Sequence, residues 1–177
     1  MNIKMLTFGS GDFPDILREI PSPPKQLYIT GGPLTDLLKC PRLAIVGSRN
    51  ATSYGKEVTR KLARDLAEQG VVIVSGLAFG IDAIAHRAVM EVGGLAIVVL
   101  PSPLQYIVPV NNRPLAHQIL GYGGVLVSEY PEGVIPLKQN FIARNRLMSG
   151  LADAILVPEA TEKSGSLHTA RFALEQG

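Results

Sequence analysis

Five short apolar runs alternate with longer amphipathic segments along most of this chain. Each run is six or seven residues long and rich in Val and Ile, and none alternates apolar with polar positions. Strands that are covered on both faces show this pattern. We therefore predict five buried strands, within residues 43–48, 71–77, 95–101, 125–131 and 154–160.

Helical periodicity marks the segments between these runs. In the first segment Val58, Leu62 and Leu66 recur at i, i+4 and i+8, and Gly70 provides a C-terminal stop. The alternation of strand and helix predicts an α/β, Rossmann-like fold, with a doubly wound, mostly parallel sheet and helices on both faces. The predicted helices lie within residues 54–70, 80–94, 113–124 and 164–177.

The N-terminal part of the chain does not follow this alternation. Residues 1–40 look loop-like, because prolines interrupt short apolar pieces such as residues 27–29. We predict that residues 1–41 form an extension packed on a main domain of residues 42–177. At the other end, FALEQG (172–177) repeats the pattern of DLAEQG (65–70), which precedes a strand, so we expect a further strand after Gly177.

Charge and composition exclude several classes of protein. The net charge is only +2, but residues 39–64 contain seven Lys or Arg and one acid, a local charge of +6. A single cysteine excludes an intrachain disulfide, and three scattered histidines show no zinc-site spacing, so we expect no metal. No apolar run reaches the roughly 18–20 residues of a membrane span. We expect a cytoplasmic protein without a membrane association.

The basic stripe Lys56, Arg60 and Arg64 has two interpretations. These residues recur at i, i+4 and i+8 on one predicted helix, so they could extend a nucleic-acid track. They could equally form a solvated face supported by pairs of Lys61 with Asp65 and of Arg64 with Glu68.

Unusual residues gather where the predicted strands end. In doubly wound sheets, ligands bind beyond the carboxyl ends of the strands. The turn GSRNATSYG after the first strand offers Gly47 for close approach, Ser48 as a hydrogen-bond donor and Arg49 for a phosphate, although an ordinary turn would look the same. In EKSGSLHTA, after the last strand, Gly165 and Ser166 stand at a helix N-terminus, where they suit a phosphate or a simple cap.

The turn SGLAFGID after the second strand lacks the GxGxxG dinucleotide fingerprint, so we expect no nucleotide cofactor. Its glycines, Gly76 and Gly80, suit either an anion cradle or close packing of helix on strand. His86, one turn into the following helix, is interpreted as a packed histidine rather than a catalyst.

The segment NFIARNRLMSG (140–150) places two arginines among apolar residues. If residues 141–151 form one helix, its buried face is centred near Leu151, and Arg144 falls inside that sector. The residues of this face are Ala143, Leu147, Met148 and Leu151. A buried arginine needs partners, so Arg144 must reach over the strand ends into the crevice. Arg146 points about 160° away on the helical wheel and should meet solvent or a neighbouring acid.

Taken together, these motifs resemble the DprA/Smf DNA-processing family in order and spacing. The resemblance rests on AIVGSRNATSYG, SGLAFGIDAIAHRAV, GGVLVSEYPEG, NFIARNRLMSGLADAILVPEA and SGSLHTARFALEQG, and covers residues 42–177. Residues 12–31 are similar to the family's lead-in. The resemblance implies a non-catalytic protein that binds single-stranded DNA in natural transformation, protects the incoming DNA, forms a homodimer and helps to load the RecA recombinase.

The resemblance also implies a set of DNA-binding residues. Its arginines would neutralise phosphates, and its phenylalanine would stack on a base. The set is Ser48, Arg49, Lys138, Phe141, Arg144, Asn145, Gly165 and Ser166.

The chain departs from the family pattern in one loop and at two further positions. Pro101 and Pro103 replace the glycines of a Gly-x-Gly turn, and Val108 replaces a tyrosine, so DNA contacts of that loop are in doubt. Ile142 stands where a proline is common, and His168 where an apolar residue is common.

Two alternatives to DNA binding remain open. One is a Rossmann-like enzyme that hydrolyses nucleoside monophosphates, for which Glu129 and Glu159 are the candidate acids, although neither has an evident partner for acid–base chemistry. The other is a regulatory module that binds a free nucleotide.

Overall fold

The chain folds around one mixed sheet. In the computed structural model, which describes residues 1–161 and 164–177, seven strands lie in the order β1-β2-β6-β5-β4-β3-β7. Neighbours from β6 to β7 in this order pair in parallel, whereas β2 pairs antiparallel with both β6 and β1. The strands are β1 Lys4–Thr7, β2 Gln26–Gly31, β3 Arg42–Ile45, β4 Val72–Ser75, β5 Ala96–Leu100, β6 Val125–Ser128 and β7 Ala154–Leu156.

Helices cover both faces of this sheet, so the predicted Rossmann-like, doubly wound architecture is confirmed. Successive strand residues point to opposite faces. Val98, for example, packs in the cluster that contains Ile81 and Ile119, while its neighbour Val99 packs in the cluster that contains Leu147. The helices are α1 Asp15–Arg18, α2 Leu34–Leu37, α3 Ser53–Glu68, α4 Ile81–Glu91, α5 Arg113–Gly121, α6 Lys138–Ala143, α7 Asn145–Gly150 and α8 Ser166–Gln176.

The loop-like character predicted for residues 1–40 is wrong. This part contributes β1, α1, β2 and α2, and β2 pairs with β6 through partners such as Tyr28 and Ser128. Leu17 and Leu27 are fully buried in the same cluster as Val99. The prolines lie outside the strands, and the antiparallel β2 covers the edge of β6 that would otherwise be open. Residues 1–41 therefore share one sheet and one core with the rest of the chain.

The core-facing side of α3 differs from the predicted one. Val58, Leu62 and Leu66 are only half-buried. The buried positions are small residues spaced by four, namely Gly55, Thr59, Ala63 and Ala67. Small side chains let a helix approach its neighbours closely. The buried positions of α3 are therefore distinguished by the small size of their side chains and not by their hydrophobicity.

Residues 141–151 do not form the single helix that the helical-wheel argument assumed. Helix α6 begins earlier, at Lys138, and Arg144 separates it from α7. The carbonyl oxygen of Arg144 accepts hydrogen bonds from the amides of both Leu147 (2.9 Å) and Met148 (3.4 Å), which tightens the turn. The predicted burial of Leu147, Met148 and Leu151 is confirmed, whereas Ala143, the fourth residue predicted on the buried face, is only half-buried.

Candidate functional site

A cavity of about 430 Å³ opens at the carboxyl ends of β3, β4 and β7, bounded by α6, α7 and the start of α8. Since β3 lies between β4 and β7, the crossovers diverge here, and ligands of doubly wound sheets bind at such points. Lys138 does not line the cavity and is exposed at the first residue of α6. The other seven predicted site residues all line it: Ser48, Arg49, Phe141, Arg144, Asn145, Gly165 and Ser166.

The turn after β3 is held by neighbouring backbone. The amide of Ser48 donates to the carbonyl oxygen of Glu159 (2.8 Å), and the carbonyl oxygen of Ser48 accepts from the amide of Ile81 (3.1 Å). A Cβ at Gly47 would lie 2.6 Å from Cγ1 of Ile81 and 2.7 Å from the Glu159 carbonyl oxygen. Gly47 is therefore needed for close packing within the protein. The close approach that we expected of a ligand at Gly47 is made instead by Ile81 and the backbone of Glu159.

Arg49 and Phe141 form one wall of the cavity. The Cζ atom of Arg49 lies 5.7 Å from the centroid of the Phe141 ring, which is the geometry of a cation–π contact. Arg49 is exposed, and no acid in the described parts of the chain lies within ion-pair distance of it. A positive charge and an aromatic ring are thus offered to solvent side by side.

Arg144 is buried at the base of the cavity, with only 4% of its surface exposed. Its Nη1 atom donates to the carbonyl oxygens of Gly76, at 2.9 Å, and of Val99. Burial lowers the pKa of Arg144 to about 10, against the opposing effect of Asp82. The expected reach of Arg144 over the strand ends is confirmed, and the side chain ties α6 and α7 to β4 and β5.

Asp82 fixes the turn between β4 and α4. Its carboxylate accepts hydrogen bonds from the amides of Gly76 (3.1 Å) and Ala78 (3.4 Å). Burial raises the pKa of Asp82, and the nearby charge of Arg144 opposes that rise. A Cβ at Gly80 would lie 2.2 Å from the carbonyl oxygen of Ser48. Of the two interpretations of the glycines in SGLAFGID, the structure supports close packing.

Hydroxyl and amide groups line the opposite wall. Nδ2 of Asn145 donates to the carbonyl oxygen of Gly165 (3.2 Å), and the hydroxyls of Ser164 and Ser166 are 2.7 Å apart. Oγ1 of Thr169 is buried without a hydrogen-bond partner among the described residues. Glu162 and Lys163, which belong to the predicted EKSGSLHTA turn, lie outside the described residues.

The predicted set omits five polar residues that line the cavity, namely Asn50, Asp82, Thr161, Ser164 and Thr169. One signal was available for Thr169. It follows Ser166 by three residues, and residues three apart lie on the same face of a helix. Thr161 and Asn50 lie in irregular segments, where no periodicity in the sequence indicates which way a side chain points.

The acids proposed for the enzymatic alternative are engaged by the protein. Glu129 accepts from Nη2 of Arg146 at 2.6 Å, which confirms the acid partner expected for that arginine. Glu159 accepts from the amide of Thr52, at 3.0 and 3.1 Å, and from its hydroxyl at 2.5 Å. Both carboxylates therefore stabilise turns of the fold.

The basic stripe on α3 borders a separate groove of about 880 Å³ between α3 and α4. Two of its three cations are paired with acids, Arg60 with Glu91 and Arg64 with Glu68, whereas Lys56 is exposed and forms no ion pair with the described residues. Lys61 also pairs with Asp65. The structure thus shows the solvated, ion-paired face.

Two other features lie away from the cavity. The loop with Pro101 and Pro103 is buried, and its Ser102 carbonyl oxygen accepts a hydrogen bond of 2.7 Å from the Ser128 hydroxyl. His86 is fully packed, as expected, and burial together with the Arg144 charge lowers its pKa to about 4. In residues 1–161 and 164–177 we find neither a metal-binding cluster nor a helix that could cross a membrane.

Comparison with known proteins gives consistent matches over nearly the whole chain. The family model described as DNA recombination-mediator protein A matches residues 4–177. Protein Smf of Synechocystis sp. is 46% identical over 176 residues, which cover 98% of this chain and 44% of that protein. The chain thus spans about half the length of the curated relatives that it matches.

Two solved structures share the fold. The X-ray structure of DNA processing protein A from Streptococcus pneumoniae has a TM-score of 0.90 and 38% identity, over 100% of this chain and 61% of that one. DNA processing protein A from Helicobacter pylori, described for its single-stranded DNA binding mode, has a TM-score of 0.88 and 38% identity. That match covers 99% of this chain and 78% of the Helicobacter chain.

Proposed function

This chain belongs to the DNA recombination-mediator protein A family, and on that premise we propose that it binds single-stranded DNA in the cavity beyond β3, β4 and β7. The observation that supports this most directly is the position of Arg49, 5.7 Å from the Phe141 ring. A cation beside an aromatic face matches the repeating unit of a single strand, a phosphate and an unpaired base. In a duplex the bases are already stacked and paired, so Phe141 favours a single strand.

The remaining residues of the cavity complete this proposal. Ser48 and Ser166 offer hydroxyl groups to phosphate oxygens, and Gly165 offers a backbone without a side chain in the way. Asn145 orients the Gly165 turn through its hydrogen bond. Lys138, which is exposed three residues before Phe141, adds charge at the rim.

In the cell, we propose that the protein acts on DNA taken up in natural transformation. Following its family, it would protect the incoming single strand, form a homodimer and help to load the RecA recombinase in the cytoplasm. Relatives named DNA processing protein DprA in Bacillus subtilis and Streptococcus pneumoniae, 41% and 42% identical, support the link to DNA processing.

We propose further that the protein works by binding and not by catalysis. Glu129 and Glu159, the acids of the hydrolytic alternative, are bonded to Arg146 and Thr52. The comparisons do not favour an enzyme that hydrolyses nucleoside monophosphates.

The proposal is tested by titrating the protein into labelled oligo-dT, a matched duplex and AMP at several salt concentrations. We expect the single strand to bind most tightly and its affinity to fall with salt, by about 0.7 in the log–log slope for each neutralised phosphate. A flat salt response, equal binding of the duplex, or a preference for AMP would contradict the proposal.

A further inference from the structure

The turn between β4 and α4 presents an aromatic side chain beside the cavity. Ala78 lines the cavity, and the next residue, Phe79, lies outside it with 48% of its surface exposed. A single exposed aromatic residue is ordinary on a protein surface. What distinguishes Phe79 is the way its turn is held and what the turn touches.

The turn is fixed in a strained conformation. Leu77 has a φ of +59°, which residues with a side chain rarely adopt, and it is fully buried. The carboxylate of Asp82 accepts from two amides of the turn, and Nδ2 of Asn112 donates to the carbonyl oxygen of Leu77 at 2.8 Å. Strain of this kind persists only where the surroundings overdetermine the backbone, and such sites cluster at functional positions. Phe79 is therefore displayed on a rigid support.

This support abuts the turn that contains Arg49. The amide of Ile81 donates to the carbonyl oxygen of Ser48 (3.1 Å), and a Cβ at Gly80 would lie 2.7 Å from the carbonyl carbon of Arg49. β3 and β4 are paired neighbours, so their carboxyl ends are about 5 Å apart. Arg49 thus contacts Phe141 of α6 and is backed by the turn that contains Phe79.

We propose that Phe79 is a second stacking surface for single-stranded DNA, which receives the base of a nucleotide beyond the one at Phe141. Arg49 then lies beside the phosphates that connect the two nucleotides. This inference rests on the proposed function, because it assumes that a single strand occupies the cavity. Two aromatic surfaces of this kind would stack with any base, since every base has a π face.

Affinity measurements test the role of Phe79. Loss of stacking with one base should weaken binding of a labelled oligo-dT roughly 5- to 160-fold in Phe79→Ala. Phe79→Leu keeps an apolar side chain without a ring and should lose nearly as much. Tyr122→Ala is the matched control, because Tyr122 is 50% exposed but lies between α5 and β6, at the amino ends of the parallel strands and away from the cavity. This variant should bind as the unmodified chain does.

A spectroscopic experiment detects the stacked base directly. The chain contains no tryptophan, so Phe79→Trp introduces a single reporter. We expect oligo-dT to quench its fluorescence while affinity is retained, and we expect no quenching in Tyr122→Trp.

The outcomes separate this inference from the function on which it rests. If the unmodified chain does not bind oligo-dT, the proposed function fails and the inference with it. If the unmodified chain binds, but Phe79→Ala binds equally well and Phe79→Trp is not quenched, only the role of Phe79 is overturned.

Discussion

The guanidinium group of Arg144 fills the space that a side chain at position 76 would need. A Cβ at Gly76 would lie 2.1 Å from Nη1 and 2.3 Å from Nη2 of Arg144, and Nη1 donates to the Gly76 carbonyl oxygen at 2.9 Å. The glycine and the arginine are thus one packing unit. This unit joins the end of β4 to Arg144, the residue between α6, which contains Phe141, and α7, which contains Asn145.

We expect Gly76→Ala to lower the free energy of unfolding by about 1–3 kcal/mol, because the added methyl group must displace a buried, bonded arginine. Denaturant unfolding followed by circular dichroism measures this. Gly121→Ala is the control, since nothing lies within 4 Å of its added Cβ, and its stability should change little. The loss at Gly76 should shrink in an Arg144→Ala background. Equal losses in both backgrounds would contradict the coupling.

Arg49 and Arg144 should affect DNA binding in different ways. Arg49 is exposed, so Arg49→Ala should weaken oligo-dT binding and lower the salt slope by about 0.7, the effect of one phosphate contact. The buried Arg144 already donates to protein carbonyl oxygens, so Arg144→Ala should weaken binding with the salt slope unchanged, because the cavity loses its shape.

Salt titrations of both variants, with Arg60→Ala as a control, check this difference. Arg60 is paired with Glu91 away from the cavity, so its loss should leave oligo-dT binding unaltered. A drop of about 0.7 in the slope of Arg144→Ala would show instead that this arginine contacts a phosphate.

Arg146 should matter for stability and not for DNA. It donates to Glu129 at 2.6 Å and to the carbonyl oxygen of Ser22 at 3.0 Å, and the ion pair is largely buried. Arg146→Ala should cost about 1.5–3 kcal/mol in unfolding free energy, as expected for hydrogen bonds of a charged group, with oligo-dT affinity unchanged. The exposed Arg64–Glu68 pair gives the comparison, and Arg64→Ala should cost less than about 1 kcal/mol. A weaker DNA complex with Arg146→Ala would place this residue in the site.

His86 should make the fold sensitive to mild acid. Burial lowers its pKa from 6.5 to about 4, so between these values the unfolded chain binds a proton that the folded chain excludes. The free energy of unfolding should therefore fall as the pH drops from about 6.5 to 4, by on the order of 3 kcal/mol in total. Burial raises the pKa of Asp82 above 3.8, so protonation of this carboxyl in acid acts in the opposite direction.

Unfolding curves at several pH values isolate the contribution of His86. His86→Leu should lose much of the decline between pH 6.5 and 4, whereas the same change at the exposed His117 should leave it intact. Asp82 is present in every variant, so the difference between the curves reports on His86. Parallel curves for His86→Leu and the unmodified chain would refute this assignment.

The sequence was sufficient for the parallel part of the sheet. Runs such as residues 71–77 and 95–101 contain only apolar residues at their centres. Such a run suits a strand that is buried on both faces, and strands of this kind belong to parallel sheets covered by helices. Candidate site residues were also identified from the sequence, Arg49 by its position just after the first predicted strand and Phe141 only through the family resemblance. Parallel strands direct their carboxyl ends to one edge, so residues just beyond those ends are brought together by topology alone.

Contacts between distant segments were decided only in three dimensions. Strand β2 is recognisable as a strand only through its antiparallel pairing with β6, about a hundred residues later, because prolines obscure the local signal. The buried face of α3 depends on how closely its neighbours approach, and hydrophobicity does not report that distance.

The local pattern thus determined the five parallel strands, the four longer helices between and after them, and the end of the strands at which the polar residues collect. Tertiary structure alone decided what each polar group does. Arg144 and Arg146 are the same residue type two positions apart, yet one bonds to carbonyl oxygens beneath the cavity and the other to Glu129. The physical reason is that burial and partners set the role of a charged group, and both depend on segments far away in the chain.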